Sequence, residues 1–208
     1  MARSSPVILL VLFFVKKIQG TTYEFLFDDQ DIFNNCTNQP SNVIGLWQLF
    51  DNSEIRTLMD NDIINVSGNF TTLNNWAIEP TDRIMLRVNT YHWEVGNWQP
   101  TVFNLVSRDF CKVMYDRNQY WYNIWTKHIT NVNEVKQNCI NVPGTKYLLE
   151  PYDIHFVSNV SGPGIGGRYK FEMIFEAYDG LNKKRPTSIC FMYTGEAVKH
   201  LNAFTIVG

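Results

Sequence analysis

Tyr169-Lys170-Phe171-Glu172-Met173-Ile174-Phe175-Glu176-Ala177 reads as a β-strand. Tyr169, Phe171, Met173, Phe175 and Ala177 alternate with Lys170, Glu172, Ile174 and Glu176. Successive side chains of a strand point to opposite sides of a sheet, so a period of two over this length marks a strand with one face in a core. Asp179-Gly180 opens a turn that runs through Lys183, Lys184 and Arg185 to Pro186, and Ser188 to Thr194 returns as a partner strand carrying Cys190. Together they predict an antiparallel hairpin with a basic tip.

The same period recurs upstream. Ile84, Leu86 and Val88 alternate with Met85, Arg87 and Asn89. Thr22 to Phe27, Gly45 to Phe50, Ile63 to Val66, Tyr147 to Leu149 and Ile154 to Val157 are shorter strand-like runs between polar turns. Ser161 to Gly167 is glycine-rich. It formally fits a dinucleotide fingerprint, but a strand rather than a helix follows it, so no helix N-terminus faces a phosphate and a plain β-connection is expected. The acidic run Asp28, Asp29, Asp31 lacks the other ligands and the glycine of a calcium loop and reads as a solvated turn. Many short strands and no internal repeat predict a mainly β domain, an antiparallel β-cup or sandwich.

Phe103 to Cys139 departs from that pattern. It holds Tyr115, Tyr120, Trp121, Tyr122 and Trp125 between Cys111 and Cys139. Trp121, Trp125, His128, Val132 and Val135 recur at spacings of three and four, which predicts a short amphipathic helix, weakened by Asn131 and Asn133. The segment is expected to be a short helical or irregular cap over the mouth of the β-cup.

The first twenty of the 208 residues have a basic start at Arg3, an uncharged run from Val7 to Val15 and a small residue at Gly20. This layout predicts a secretory signal peptide over 1–20 and a single domain over 21–208, hence an extracellular, secreted protein. Four cysteines, Cys36, Cys111, Cys139 and Cys190, then predict two disulfides, with three pairings open. Sequons at Asn35, Asn65, Asn69 and Asn159 fit a glycoprotein. The net charge of −2 comes with no basic stripe, so no nucleic-acid partner is expected.

Catalytic constellations are missing from the pattern. There is no Gly-x-Ser-x-Gly elbow and no His-Glu-x-x-His, and His92, His128, His155 and His200 are scattered without ligand spacing. No enzyme, cofactor or metal is therefore expected. Aromatics reach 14% against 18% charged residues, which leaves rings to line an apolar cavity after the core is filled. Candidate lining is Trp76, Trp93, Trp98, Trp121, Trp125, Phe171 and Phe175.

Three patches, in order, resemble the ganglioside-activator, or ML-type lipid-recognition, proteins. They are Phe110-Cys111-Lys112-Val113-Met114-Tyr115-Asp116, then Cys139 with Pro143-Gly144-Thr145-Lys146-Tyr147-Leu148-Leu149, then Gly167-Arg168-Tyr169-Lys170-Phe171-Glu172 with Ser188-Ile189-Cys190-Phe191. With Tyr23-Glu24-Phe25 and the acidic run before Cys36, the chain is most similar to the insect chemosensory B (CheB) group, divergent relatives of that activator. The resemblance implies a β-cup with an apolar cavity open at one rim. It also implies pairing of Cys36 with Cys190 and of Cys111 with Cys139. The role it implies is gustatory or pheromone sensing, through a hydrophobic ligand such as a lipid or cuticular hydrocarbon, near a sensory receptor or membrane surface. The activator carries further cysteines in its central region and this chain has none, so the cap is expected to be held by one disulfide and by Trp121 and Trp125. Two other readings are an interaction module acting on a receptor through the tip Lys183–Arg185, and, more remotely, a hydrolase.

Overall fold

The alternating stretch at 169–177 lies inside a strand of 12 residues that is paired on both sides from Tyr169 to Glu176. The computed structural model describes residues 20–161 and 164–200. Apart from Gly20, the expected signal peptide lies outside them. In chain order the strands are β1 (Thr21–Phe27), β2 (Asn34–Asn35), β3 (Val43–Ile44), β4 (Phe50–Asp51), β5 (Arg56–Asp60), β6 (Ile63–Ser67), β7 (Asn69–Thr72) and β8 (Arg83–Glu94). They continue with β9 (Asn97–Pro100), β10 (Leu105–Ser107), β11 (Lys146–Leu148), β12 (Tyr152–Ile154), β13 (Phe156–Val160), β14 (Gly167–Tyr178) and β15 (Lys184–Lys199). Helical turns occupy Phe110–Val113 (α1), Tyr120–Ile124 (α2) and Val132–Val135 (α3), with 3₁₀ turns at Leu46–Gln48 and Thr126–His128.

The protein is mainly β. A nine-stranded sheet runs β10-β8-β14-β15-β1-β13, with β9 on β8 and with β2 and β3 on β15. All its pairs are antiparallel except β3 with β15. Two three-stranded antiparallel sheets, β11-β7-β4 and β12-β6-β5, complete the β-structure. Register puts Phe171 opposite Thr90 and Tyr193, and Phe175 opposite Leu86 and Ile189. Because alternation is preserved across β8, β14 and β15, one face collects Leu86, Val88, Phe171, Met173, Phe175, Phe191 and Tyr193. The predicted hairpin is present and longer than its apolar pattern, since β15 continues to Lys199.

Both disulfides form as the resemblance implied. Cys36–Cys190 joins the β2 side to β15 with Cα atoms 5.7 Å apart, and Cys111–Cys139 closes the central segment with 5.4 Å between them. On the chain-entropy model these cross-links remove about 5 and 3.6 kcal/mol, respectively, of unfolded-state freedom. Two disulfides fit an oxidising compartment.

Two local expectations are corrected. Gly45 to Phe50 was expected to be a strand, but Leu46–Gln48 is a 3₁₀ turn closed by Leu49 N donating to Leu46 O at 2.8 Å. Leu46, Leu49 and Phe50 are thereby all buried, which an extended run with alternating faces would not achieve. The amphipathic helix expected from Trp121 to Val135 is broken into α2, a 3₁₀ turn and α3. Trp125 leaves helical geometry at φ −149°, and Ile129 turns extended to bridge Leu149 of the neighbouring layer. That bridge gives Ile129 backbone partners a continuous helix would not need, so tertiary pairing overrides local periodicity.

Candidate functional site

A cavity of about 1010 Å³ lies against the aromatic face of the long sheet. Its walls come from β1, β8, β14 and β15 on one side and from Phe50, Phe70, Tyr152, Ile154 and the cap on the other. Most of the chain's 14 phenylalanines line it. The alternation explains why: every second residue of β1, from Tyr23 through Phe25 to Phe27, faces the same lumen as Phe171 and Tyr193. Phe25 meets Phe171 edge-on at 5.4 Å, and Phe171 stacks with Tyr193 at 5.2 Å.

Glu24 is the one charged residue among the described lining residues. Its carboxylate is held by His155 Nε2 at 2.5 Å and His200 Nδ1 at 3.2 Å, which keep its pKa below the usual carboxylate range. Neither histidine lines the cavity, so this charge is satisfied away from the lumen. Tyr193 and Tyr152 are desolvated by their surroundings, and burial pushes both phenols up.

The cap forms the far wall. Phe110 packs against Phe175 at 5.2 Å and Trp121 at 5.1 Å, and Trp125 stands edge-on to Phe50, Phe70 and Tyr147. Trp121 Nε1 donates to the carbonyls of Val113 and Met114, and Thr126 Oγ1 donates to Met114 O at 2.9 Å. Phe110, Met114 and Thr126 therefore share the work expected of the disulfide and the two tryptophans alone. Trp125 Nε1 and the Tyr115 hydroxyl are buried without a partner among the described residues, and burial pushes Tyr115 up to about 12. At the mouth, Val102, Phe103, Val106 and Tyr120 are exposed as well as lining.

Four of the seven candidate lining residues, Trp121, Trp125, Phe171 and Phe175, come together in the cavity wall. The other three lie elsewhere. Trp76 is buried and its Nε1 donates to Thr187 O at 3.0 Å, which ties its loop to β15. Trp93 and Trp98 face each other across the β8–β9 turn at 5.0 Å. On β8 the even-numbered side chains Leu86, Val88 and Thr90 enter the cavity, so Trp93 belongs to the opposite face. Missed from the sequence were Phe25, Phe27, Phe156 and Tyr193, whose contacts join strands far apart in the chain. Alternation along β1 gives Phe25 and Phe27, alternation along β15 gives Tyr193, and Phe156 is brought in only by its pairing with Phe25 across β1 and β13.

Of the sequons, Asn35 and Asn159 are exposed, whereas Asn65 and Asn69 are half-buried and donate to Asp153 and Glu54. The basic tip is largely engaged internally: Arg185 forks onto Asp82 at 2.8 and 2.9 Å, and Lys184 reaches Glu176 at 2.5 Å. The acidic turn is an Asx-type turn, with Asp31 N donating to Asp29 Oδ1 and Phe33 N to Asp31 Oδ1.

No protein-family model matches the chain, and no curated protein matches it.

Proposed function

We propose that this chain is a secreted binding protein for a hydrophobic ligand, a lipid or hydrocarbon cue, serving gustatory or pheromone chemosensation. The observation that carries the reading is the large cavity walled by aromatic and aliphatic side chains, with its one carboxylate satisfied away from the lumen. Such a lining gains from apolar burial and offers little to a charged substrate. The two disulfides and the apolar N-terminal run support secretion, and the resemblance to the insect chemosensory B group supports the sensory role. Exposed Val102, Phe103, Val106 and Tyr120 at the mouth suit brief contact with a receptor or membrane surface during ligand transfer.

Native mass spectrometry of the secreted protein tests this directly and is expected to show co-purified lipid. Delipidated protein is expected to lose tryptophan fluorescence and to gain thermal stability on titration with long-chain lipids, because Trp121 and Trp125 stand in the wall and a ligand of the folded state alone stabilises it. Unchanged fluorescence and melting across a broad lipid panel sinks the reading.

A further inference from the structure

The even-numbered face of β8 changes character along its length. Leu86, Val88 and Thr90 line the large cavity, and the next two positions, His92 and Glu94, line a second cavity of about 340 Å³. Phe103 and Tyr169 line both, so the small cavity is a vestibule adjoining the large one. Its walls are polar: besides His92 and Glu94 they include Gln99 and Thr101.

The vestibule is built rather than incidental. His92 Nδ1 lies 2.9 Å from Glu94 Oε1, and the imidazole packs on Tyr169 with 4.7 Å between ring centroids. Its Nε2 sits so close to Gly167 that a Cβ there would come within 2.5 Å. Glycine at φ +123° lets the ring approach the backbone, which fixes the histidine and through it Glu94. Glu94 Oε2, the Gln99 amide and the Tyr169 hydroxyl remain without hydrogen-bond partners among the described residues. Among the described residues, no lysine or arginine lines the vestibule. Burial and then the negative charge of Glu94 push the Tyr169 phenol up, as expected of a site with negative potential.

We propose that the ligand is an amphiphile, its chain in the large cavity and a hydrogen-bond-donating, non-anionic head, such as a hydroxyl, in the vestibule against Glu94, Gln99 and Tyr169. A hydroxyl donates to Glu94 Oε2 and accepts from the Gln99 amide or the Tyr169 phenol. A fatty carboxylate meets Glu94 with no cation to offset it except a histidine already engaged. A bare hydrocarbon leaves the vestibule groups to water and gains nothing from them.

The inference rests on the carrier reading, and one experiment separates the two. An apolar fluorescent probe, N-phenyl-1-naphthylamine, is loaded into delipidated protein at pH 7.4 and displaced with dodecane, 1-dodecanol and dodecanoate. A hydrogen bond to a charged group predicts that dodecanol displaces the probe at roughly tenfold lower concentration than either of the others. Glu94→Gln is expected to bring dodecanoate close to dodecanol, and Gln99→Leu to bring dodecanol close to dodecane. Both substitutions lie at exposed positions of the β8–β9 hairpin, and an unchanged melting curve checks that the fold is kept. Equal displacement by all three compounds overturns the amphiphile and leaves the apolar carrier standing. Displacement by none overturns the carrier reading and the amphiphile with it.

Discussion

The two faces of β14 bury their side chains to similar depth by opposite means. Towards the cavity, Tyr169 and Phe175 are 8% and 6% exposed, packed among rings. On the other face, Glu172 and Glu176 are 4% and 3% exposed, although they are carboxylates. Lys170 Nζ donates to Glu172 Oε1 at 2.7 Å and lies over the rings of Tyr91, at 4.4 Å, and Trp98, at 5.7 Å. Glu176 receives Arg87 at 2.7 Å, Lys184 and the Tyr178 hydroxyl. An apolar face tolerates loss of a contact in proportion to the area lost. A buried ion pair does not, because the surviving partner keeps its desolvation penalty.

The largest expected effect follows from that asymmetry. Lys170→Ala strands the Glu172 carboxylate and should cost about 3–5 kcal/mol in urea unfolding, whereas Lys170→Met with Glu172→Leu should recover most of the loss. If the double variant is as unstable as the single one, the ion pair itself, and not the stranding of Glu172, carries the stability of the outer face. Phe175→Ala comes next at about 3 kcal/mol, since its ring is enclosed by Phe110 and Phe191. Phe171→Ala should cost less stability, because that ring is only half-buried whereas Phe175 is buried among its neighbours, and should weaken ligand binding more. Equal stability losses at the two positions would erase the distinction between core wall and ligand wall.

Charge also gives this sheet a pH dependence that its aromatic face lacks. Arg185 holds the Asp82 carboxyl below its ordinary value of 3.8, so the folded chain binds that proton less tightly than the unfolded chain. The resulting stability is present above pH 3.8 and is lost as pH falls through the lower folded value. Asp82→Asn should cost about 2 kcal/mol near neutrality and flatten the acid limb of a stability–pH profile. An unaltered acid limb would show that other carboxylates set it. The smallest effect is a gain. Val95 sits at φ +48° in the turn that presents Trp98 to Lys170, and Val95→Asn with Gly96 following suits that turn, so it should add about 1 kcal/mol.

How much of this was legible follows the same divide. Alternation in 83–89 and 169–177 identified β8 and β14 because half-buried strands advertise their period. That same alternation is silent about depth: the burial of Lys170, Glu172 and Glu176 depends on neighbours from β8 and β15 that only register brings near. In the cap, Trp121 and Trp125 were identifiable as wall residues, but the helix through them was not, because Ile129 is claimed by Leu149 across the layers. Trp93 and Trp98 were singled out by ring density alone. Density carries no information about face, and parity along β8 places Trp93 on the outside.

The cavity has a mechanical consequence as well. Unfolding lets water into whatever part of the roughly 1010 Å³ lumen the apolar walls keep dry, and a system that shrinks on unfolding is driven that way by compression. Hydrostatic pressure therefore acts on the unloaded cup as a denaturant, and a bound chain that occupies the lumen removes the volume on which pressure works. The midpoint of a high-pressure melt thus becomes a label-free gauge of how full the cup is.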